Sequence, residues 1–201
     1  MSNVVLNRAS LRDTELPVYQ GLLMGDVRLV NSEAMAVEAH AALMESEVIG
    51  FDTESKPTFR VGEISTGPHL IQLATETRTY LFQVLCLPGN KQLQQILESP
   101  RVLKVGFGLG NDKTALMSRL GINIENVLDL GEVLRGPGHH GTVGAKVAVA
   151  HFFGQRLQKS KKTSTSNWAA LPLSERQMLY AANDAHVALR IYRAWIHAAA
   201  E

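Results

Sequence analysis

Two carboxylates close the apolar run VIGFDTES, where Asp52 and Glu54 follow Val48, Ile49 and Phe51. The run reads as a core strand, and residues two apart on a strand share a face. The two acids therefore stand side by side, and anions held that close repel unless one is protonated or a cation lies between them. Three further acids need a reason. In ERQMLYAANDAHVALRIYRAWIH, Tyr180, Val187, Ile191 and Ala194 fall on one helical stripe, and Asp184 shares it one turn after Tyr180. An acid on an apolar face is either paired with a base or functional. Asp112 opens the helix NDKTALMSRL on the same face as Leu116 and Leu120, where the macrodipole alone would favour an acid. Asp129 ends the strand-like NVLDL, and turn formation or loop capping is its expected role in preference to ligation.

If Asp52, Glu54, Asp112 and Asp184 converge, their charge of about minus four cannot persist unneutralised in a cleft. Carboxylates without Cys or His favour Mg²⁺ or Mn²⁺. Two such ions roughly 3.5–4 Å apart form a phosphoryl-transfer clamp, one generating hydroxide from bound water and the other stabilising the leaving oxygen. Tyr180 would hold that water by a hydrogen bond, which requires no phenolate. Just before the tyrosine helix, QRLQKSKKTSTSNW carries Arg156, Lys159, Lys161 and Lys162. Short basic runs are usually solvated loops. Beside a cleft they grip phosphates without reading sequence, and binding then weakens with salt. Trp168 either stacks on a base or packs beneath the final helix, and packing is the more ordinary use.

The elements that must position these residues follow from pattern. Apolar runs around residues 26–32, 48–55, 69–76, 78–84, 101–108 and 126–130 read as strands, with helices interspersed early and dominant late. Ser32 and Ser174 sit as helix caps, the latter in a capping box with Gln177, and Gly121 stops the Asp112 helix. This order predicts an α/β layer structure, a mixed sheet flanked by helices. The 201 residues are 45% hydrophobic and 19% charged, which suits one domain, expected over residues 27–201 after a lead-in at 1–26. The net charge of +1 excludes a strongly basic coat, so any electrostatic binding is local. The single cysteine, Cys86, excludes an internal disulfide or a Cys-based zinc site and reads as a buried small hydrophobe. His139 and His140 read as loop, and His151, His186 and His197 as packing or surface residues. No run is long and apolar enough to span a membrane, and the first residues lack a signal-peptide pattern, so the expected compartment is cytoplasmic.

FDTE, VGFGLGNDKTAL and YAANDA, in that order, resemble the three exonuclease motifs of the DEDD superfamily. Tyrosine four before the last aspartate resembles its DEDDy branch. The stretch LQKSKKTSTSNWAALPLSERQMLYAANDAHVALRIYR is similar to the exonuclease domain of the Werner syndrome helicase and to ribonuclease D. The resemblance implies a ribonuclease H-like fold and removal of nucleoside monophosphates from the 3′ end of DNA or RNA with two metal ions. It assigns Asp52 and Glu54 as first-motif ligands, Asp112 as the second, Asp184 as the third and Tyr180 as the water-orienting phenol. Several relatives have an aromatic after the first-motif glutamate, where this chain has Ser55-Lys56-Pro57. Two other readings stand beside a DNA-directed exonuclease: a ribonuclease D-like enzyme of RNA 3′ ends, and a non-catalytic nucleic-acid-binding scaffold.

Overall fold

A six-stranded sheet forms the centre of the molecule. The computed structural model describes residues 16–58, 62–87, 89, 91–135 and 141–200, so His139 and His140 lie outside the described residues. The strands are β1 (Val27–Val30), β2 (Val48–Glu54), β3 (Leu70–Ala74), β4 (Thr79–Gln83), β5 (Leu103–Gly106) and β6 (Val127–Asp129), in the order β1-β4-β3-β2-β5-β6. β3 runs antiparallel to both β2 and β4, while β1 pairs parallel with β4, β5 with β2, and β6 with β5. The parallel trio β2, β5 and β6 therefore ends along one edge of the sheet. Ligand sites of α/β sheets gather at such carboxyl ends.

Helices cover both faces. On one, Ile49, Phe51, Ile71 and Phe82 pack with α1 (Glu33–Met44), α2 (Lys91–Leu97) and α3 (Gly110–Leu120) through buried Leu43, Leu93, Ile96 and Leu116. Ser32 caps α1 by accepting from Met35 N at 3.4 Å, and Gly121 ends α3 at φ 68°, a left-handed conformation that glycine adopts without steric cost. α4 (Leu130–Val133) follows β6 directly. On the other face lie α5 (Ala145–Phe153), the single turn α6 (Lys161–Ser164) and the long α7 (Glu175–Ala200). The expected capping box starts α7: Ser174 N donates to Gln177 Oε1 at 3.1 Å and Gln177 N to Ser174 Oγ at 3.3 Å. Among the described residues, no helix is long and apolar enough to cross a membrane.

α7 lies very close to β2. A Cβ added at Gly50 would stand 2.0 Å from the backbone oxygen of Ala185. That oxygen belongs to a helix pinned by Ala181, Ala182, Val187 and Leu189, all 0% exposed, and cannot step aside cheaply. Gly50→Ala should therefore lower stability by roughly 2–3 kcal/mol and weaken any activity of the adjoining site. Chemical denaturation checks the first effect, and a variant as stable as the parent would contradict the close crossing.

One expectation changes, the burial of Cys86, and the N-terminal segment shows where it attaches. The lead-in packs into the domain from Pro17 onward: Tyr19 is buried with Val48, Val105 and Leu189, and Val18 pairs with Arg156 in a parallel bridge. Cys86 is half-buried, in a one-turn 3₁₀ helix (Val84–Cys86) beyond the end of β4. His186 is a packing residue as expected, buried with its Nε2 3.0 Å from the Glu76 carbonyl.

Candidate active site

Asp52 and Glu54 occupy the last turn of pleat in β2, on the face that α7 covers, because the face alternates along Val48, Gly50, Asp52 and Glu54. β5 runs parallel beside β2, and the chain leaves it through Gly106–Leu109 into α3. Asp129 fixes that passage: its carboxylate accepts from Gly108 N at 3.0 Å, Leu109 N at 2.8 Å and Gly131 N at 2.8 Å. It is a capping residue, and it sets where α3 starts and hence where Asp112 lies. Thr53 then ties the first and second motifs together. Its hydroxyl donates to Asp112 Oδ1, and its N–H donates to Asp52 Oδ1 at 2.9 Å. α7 brings Asp184 and Tyr180 over the same edge. Asp184 is 8% exposed, and the Tyr180 hydroxyl interacts with both Asp184 and the side chain of Ser164.

Asp52 and Glu54 each feel the charges of Asp184 and Asp112. Burial first, then the charge of Asp184, pushes Asp52 up to about 8. Burial and then Asp52 push Glu54 up to about 9. Burial also raises Asp112 and Asp184. Tyr180 is raised by burial and by the charges of Asp184 and Glu54, so it stays a protonated phenol.

The basic run divides. Lys159 does not face solvent as a phosphate grip; its Nζ lies 3.0 Å from Asp184 Oδ2, inside the acid cluster. Arg156 is half-buried, its N–H donating to Pro17 O at 2.8 Å, and its Nε is sealed from solvent without a partner. Lys161 and Lys162 are exposed on α6. Trp168 is 1% exposed, which leaves no ring face for a base: it packs, the preferred expectation, and its alternative as a substrate-binding residue is corrected. It instead backs the tyrosine: its ring centroid is 6.0 Å from that of Tyr180, and its Nε1 donates to Ser164 O at 3.1 Å. Gln177 fastens the same segment to α7 through Ser166 Oγ and Asn167 O, both at 3.1 Å. A cavity of about 320 Å³ reaches Tyr180 and Asp184 from the side of the N-terminal strap, lined also by Tyr19, Leu157, Arg176 and Asn183.

The sequence reading passed over Thr53, Ser164 and Gly50. Thr53 points to the opposite face from its two acidic neighbours, so the strand period alone separates it from them. Nothing local marks its long-range partner, Asp112.

Among the described residues, no three His, Cys, Asp or Glu side chains already close to the spacing of a metal cage. The donor set nonetheless fits a hard divalent cation: four carboxylates, Asp184 buried and Asp52, Glu54 and Asp112 half-buried, at least two of them mutually repelling, with no sulfur or imidazole among them.

A layered mixed sheet with Asp52 and Glu54 at the end of β2, and Asp112 and Asp184 on the helices beside it, is an α/β architecture with a site at the carboxyl ends of its parallel strands, and comparison gives it a family. Residues 27–195 match the model of the 3′-5′ exonuclease family, and the chain belongs to that family. It is 31% identical over 188 residues to the mouse bifunctional 3′-5′ exonuclease/ATP-dependent helicase WRN, covering 92% of this chain and 13% of that protein. The crystal structure of the Aedes aegypti Nibbler EXO domain superposes with a TM-score of 0.74 at 29% identity, covering 88% of this chain and 90% of that one. Escherichia coli RNase D, an exoribonuclease involved in structured RNA processing, shares the fold with a TM-score of 0.74 at 23% identity, covering 87% of this chain and 45% of that one. The chain thus spans less than half the length of the WRN protein and of RNase D.

Proposed function

We propose that this chain is a divalent-metal-dependent 3′-5′ exonuclease that hydrolyses phosphodiester bonds at the 3′ end of DNA or RNA and releases nucleoside 5′-monophosphates. The observation that carries the reading is the meeting of β2, α3 and α7 at one edge, with Asp52, Glu54, Asp112, Asp184 and the Tyr180 phenol around a common space. A scaffold that only held nucleic acid would gain nothing from this repulsion, and family membership favours hydrolysis.

Asp52, Glu54, Asp112 and Asp184 would hold Mg²⁺ or Mn²⁺. When bound, two ions would supply a water acidic enough to attack at neutral pH and offset charge on the departing oxygen. The chain's own residues do the rest. Tyr180, held protonated and braced by Trp168, orients the attacking water through its hydroxyl. Thr53 keeps Asp112 beside Asp52. Lys161 and Lys162 lie exposed on α6, between the Lys159 segment and the tyrosine helix, where they can steer a phosphate backbone.

The test is digestion of a 5′-labelled oligonucleotide, as matched DNA and RNA, with Mg²⁺, Mn²⁺ or EDTA. A ladder shortening from the 3′ end with either metal and none with EDTA is the expected result. Binding without shortening in any metal would favour the scaffold instead. Two variants refine it. Tyr180→Phe should slow cleavage about 10–100-fold with metal affinity unchanged, and full single-turnover rate in that variant would remove the orienting role. Lys161→Ala with Lys162→Ala should weaken oligonucleotide binding and reduce the salt slope by one to two phosphate contacts, on the order of 0.7–0.9 log units each. An unchanged slope would return the two lysines to plain solvated surface.

A further inference from the structure

The segment that carries Lys159 is clamped from two sides. Arg156 N donates to Pro17 O at 2.8 Å and Tyr19 N to Arg156 O at 3.0 Å, which ties the segment's start to the N-terminal strap. At its end, Ser160 caps α6 by accepting from Thr163 N, and its hydroxyl also accepts from Arg176 Nη2 at 2.9 Å. Between these ties, Lys159 reaches inward to Asp184 Oδ2 at 3.0 Å, with its side chain 31% exposed and the aspartate's 7%.

We propose that Lys159 is a built-in counter-cation of the acid cluster, which competes with a divalent ion for Asp184 and so sets the metal concentration at which the site loads. An ammonium 3.0 Å from a carboxylate oxygen and a metal ion bonded to that oxygen are alternative neutralisers of the same charge. Each ion that takes Asp184 must first displace the lysine. Because the segment is clamped at both ends, the displaced side chain swings by its own rotamers and needs no refolding of its backbone. Lys159 is thus a positioning residue, acting through Asp184. The strap at Pro17–Tyr19, outside the matched 27–195 region, contributes to holding it there.

The inference rests on the metal-dependent reading above, and two measurements separate them. Titration calorimetry of the full chain with Mn²⁺ should show Lys159→Met binding about tenfold more tightly than the parent, since the competitor is gone, with Lys159→Arg close to the parent. The Met variant's melting temperature in EDTA should fall, and its rise on adding Mn²⁺ should exceed the parent's. Equal or weaker Mn²⁺ binding by Lys159→Met would overturn the competition while leaving the metal reading intact. Absence of Mn²⁺ binding by all three proteins would overturn both. Should the Met variant not fold, the parent suffices: amine labelling read by mass spectrometry should modify Lys159 severalfold faster with Mn²⁺ than with EDTA, relative to Lys161. An unchanged or slower rate would overturn the proposal.

Discussion

Asp52→Asn is expected to lower cleavage on the order of 10³-fold or more while the protein stays folded and, in EDTA, becomes more stable. Asp52 is the acid on which the others act: burial and the charges of Asp184 and Asp112 all push its proton affinity up, and its own charge raises Glu54. An amide of the same shape keeps the packing and the acceptor for Thr53 N. It removes an acid that the folded state must either keep charged beside its neighbours or protonate far above its ordinary value, so folding loses that cost when no cation is bound. Activity and stability should therefore move in opposite directions. Single-turnover digestion and a melting curve in EDTA measure both. A variant that lost activity by unfolding would give Asp52 a structural role, and one that kept the parent's rate would remove it from the site.

The second large effect is a dependence of metal-free stability on pH. Asp52 and Glu54 hold their protons in the folded state to about 8 and about 9, against ordinary values of 3.8 and 4.5. The folded state therefore binds more protons than the unfolded state through the neutral range. The stability linked to those protons is fully present below the ordinary carboxylate values and is lost as pH rises through the folded ones, at about 1.4 kcal/mol per pH unit for each proton. Between pH 7 and pH 8 the effect outweighs what opposes it. His69, His151 and His186 are lowered by burial, so only the unfolded state keeps a minor protonated fraction near pH 7, and they oppose the fall weakly. Lys104, which burial lowers to about 8, works in the opposite sense as pH approaches that point and more strongly above it, and is one group against two acids. In EDTA the melting temperature should fall from pH 7 to pH 8, and the fall should shrink with Asp52→Asn and with saturating Mn²⁺, which replaces the protons. A flat or rising curve in EDTA would mean the acids are solvated and apart.

Periodicity carried the frame of this site and failed at its long-range joints. Asp52 and Glu54 were legible because a strand alternates, and Asp184 because an acid on the stripe of Tyr180, Val187 and Ile191 breaks a helical pattern. Strand positions and the Ser174–Gln177 box were legible from local chemistry for the same reason. Lys159 and Lys161 are two residues apart in one basic run, yet the first turns into the cluster and the second lies in solvent. Only the fold of the segment between the strap and α6 separates them. Trp168 could not be assigned to base or core until α7 was seen to cover it. The strap at 16–26 has no apolar period because backbone pairing of Val18 with Arg156 and a hydrogen bond from Leu22 N to Asn183 Oδ1 hold it.

The central claim is that Asp52, Glu54, Asp112 and Asp184 jointly bind divalent ions. Crystals of the parent grown with Mn²⁺, measured at the manganese absorption edge, test it most directly. The expected result is anomalous density for two ions between these four carboxylates, lost in Asp52→Asn. Anomalous density elsewhere on the surface, or none at this edge of the sheet in crystals grown at saturating Mn²⁺, would contradict it.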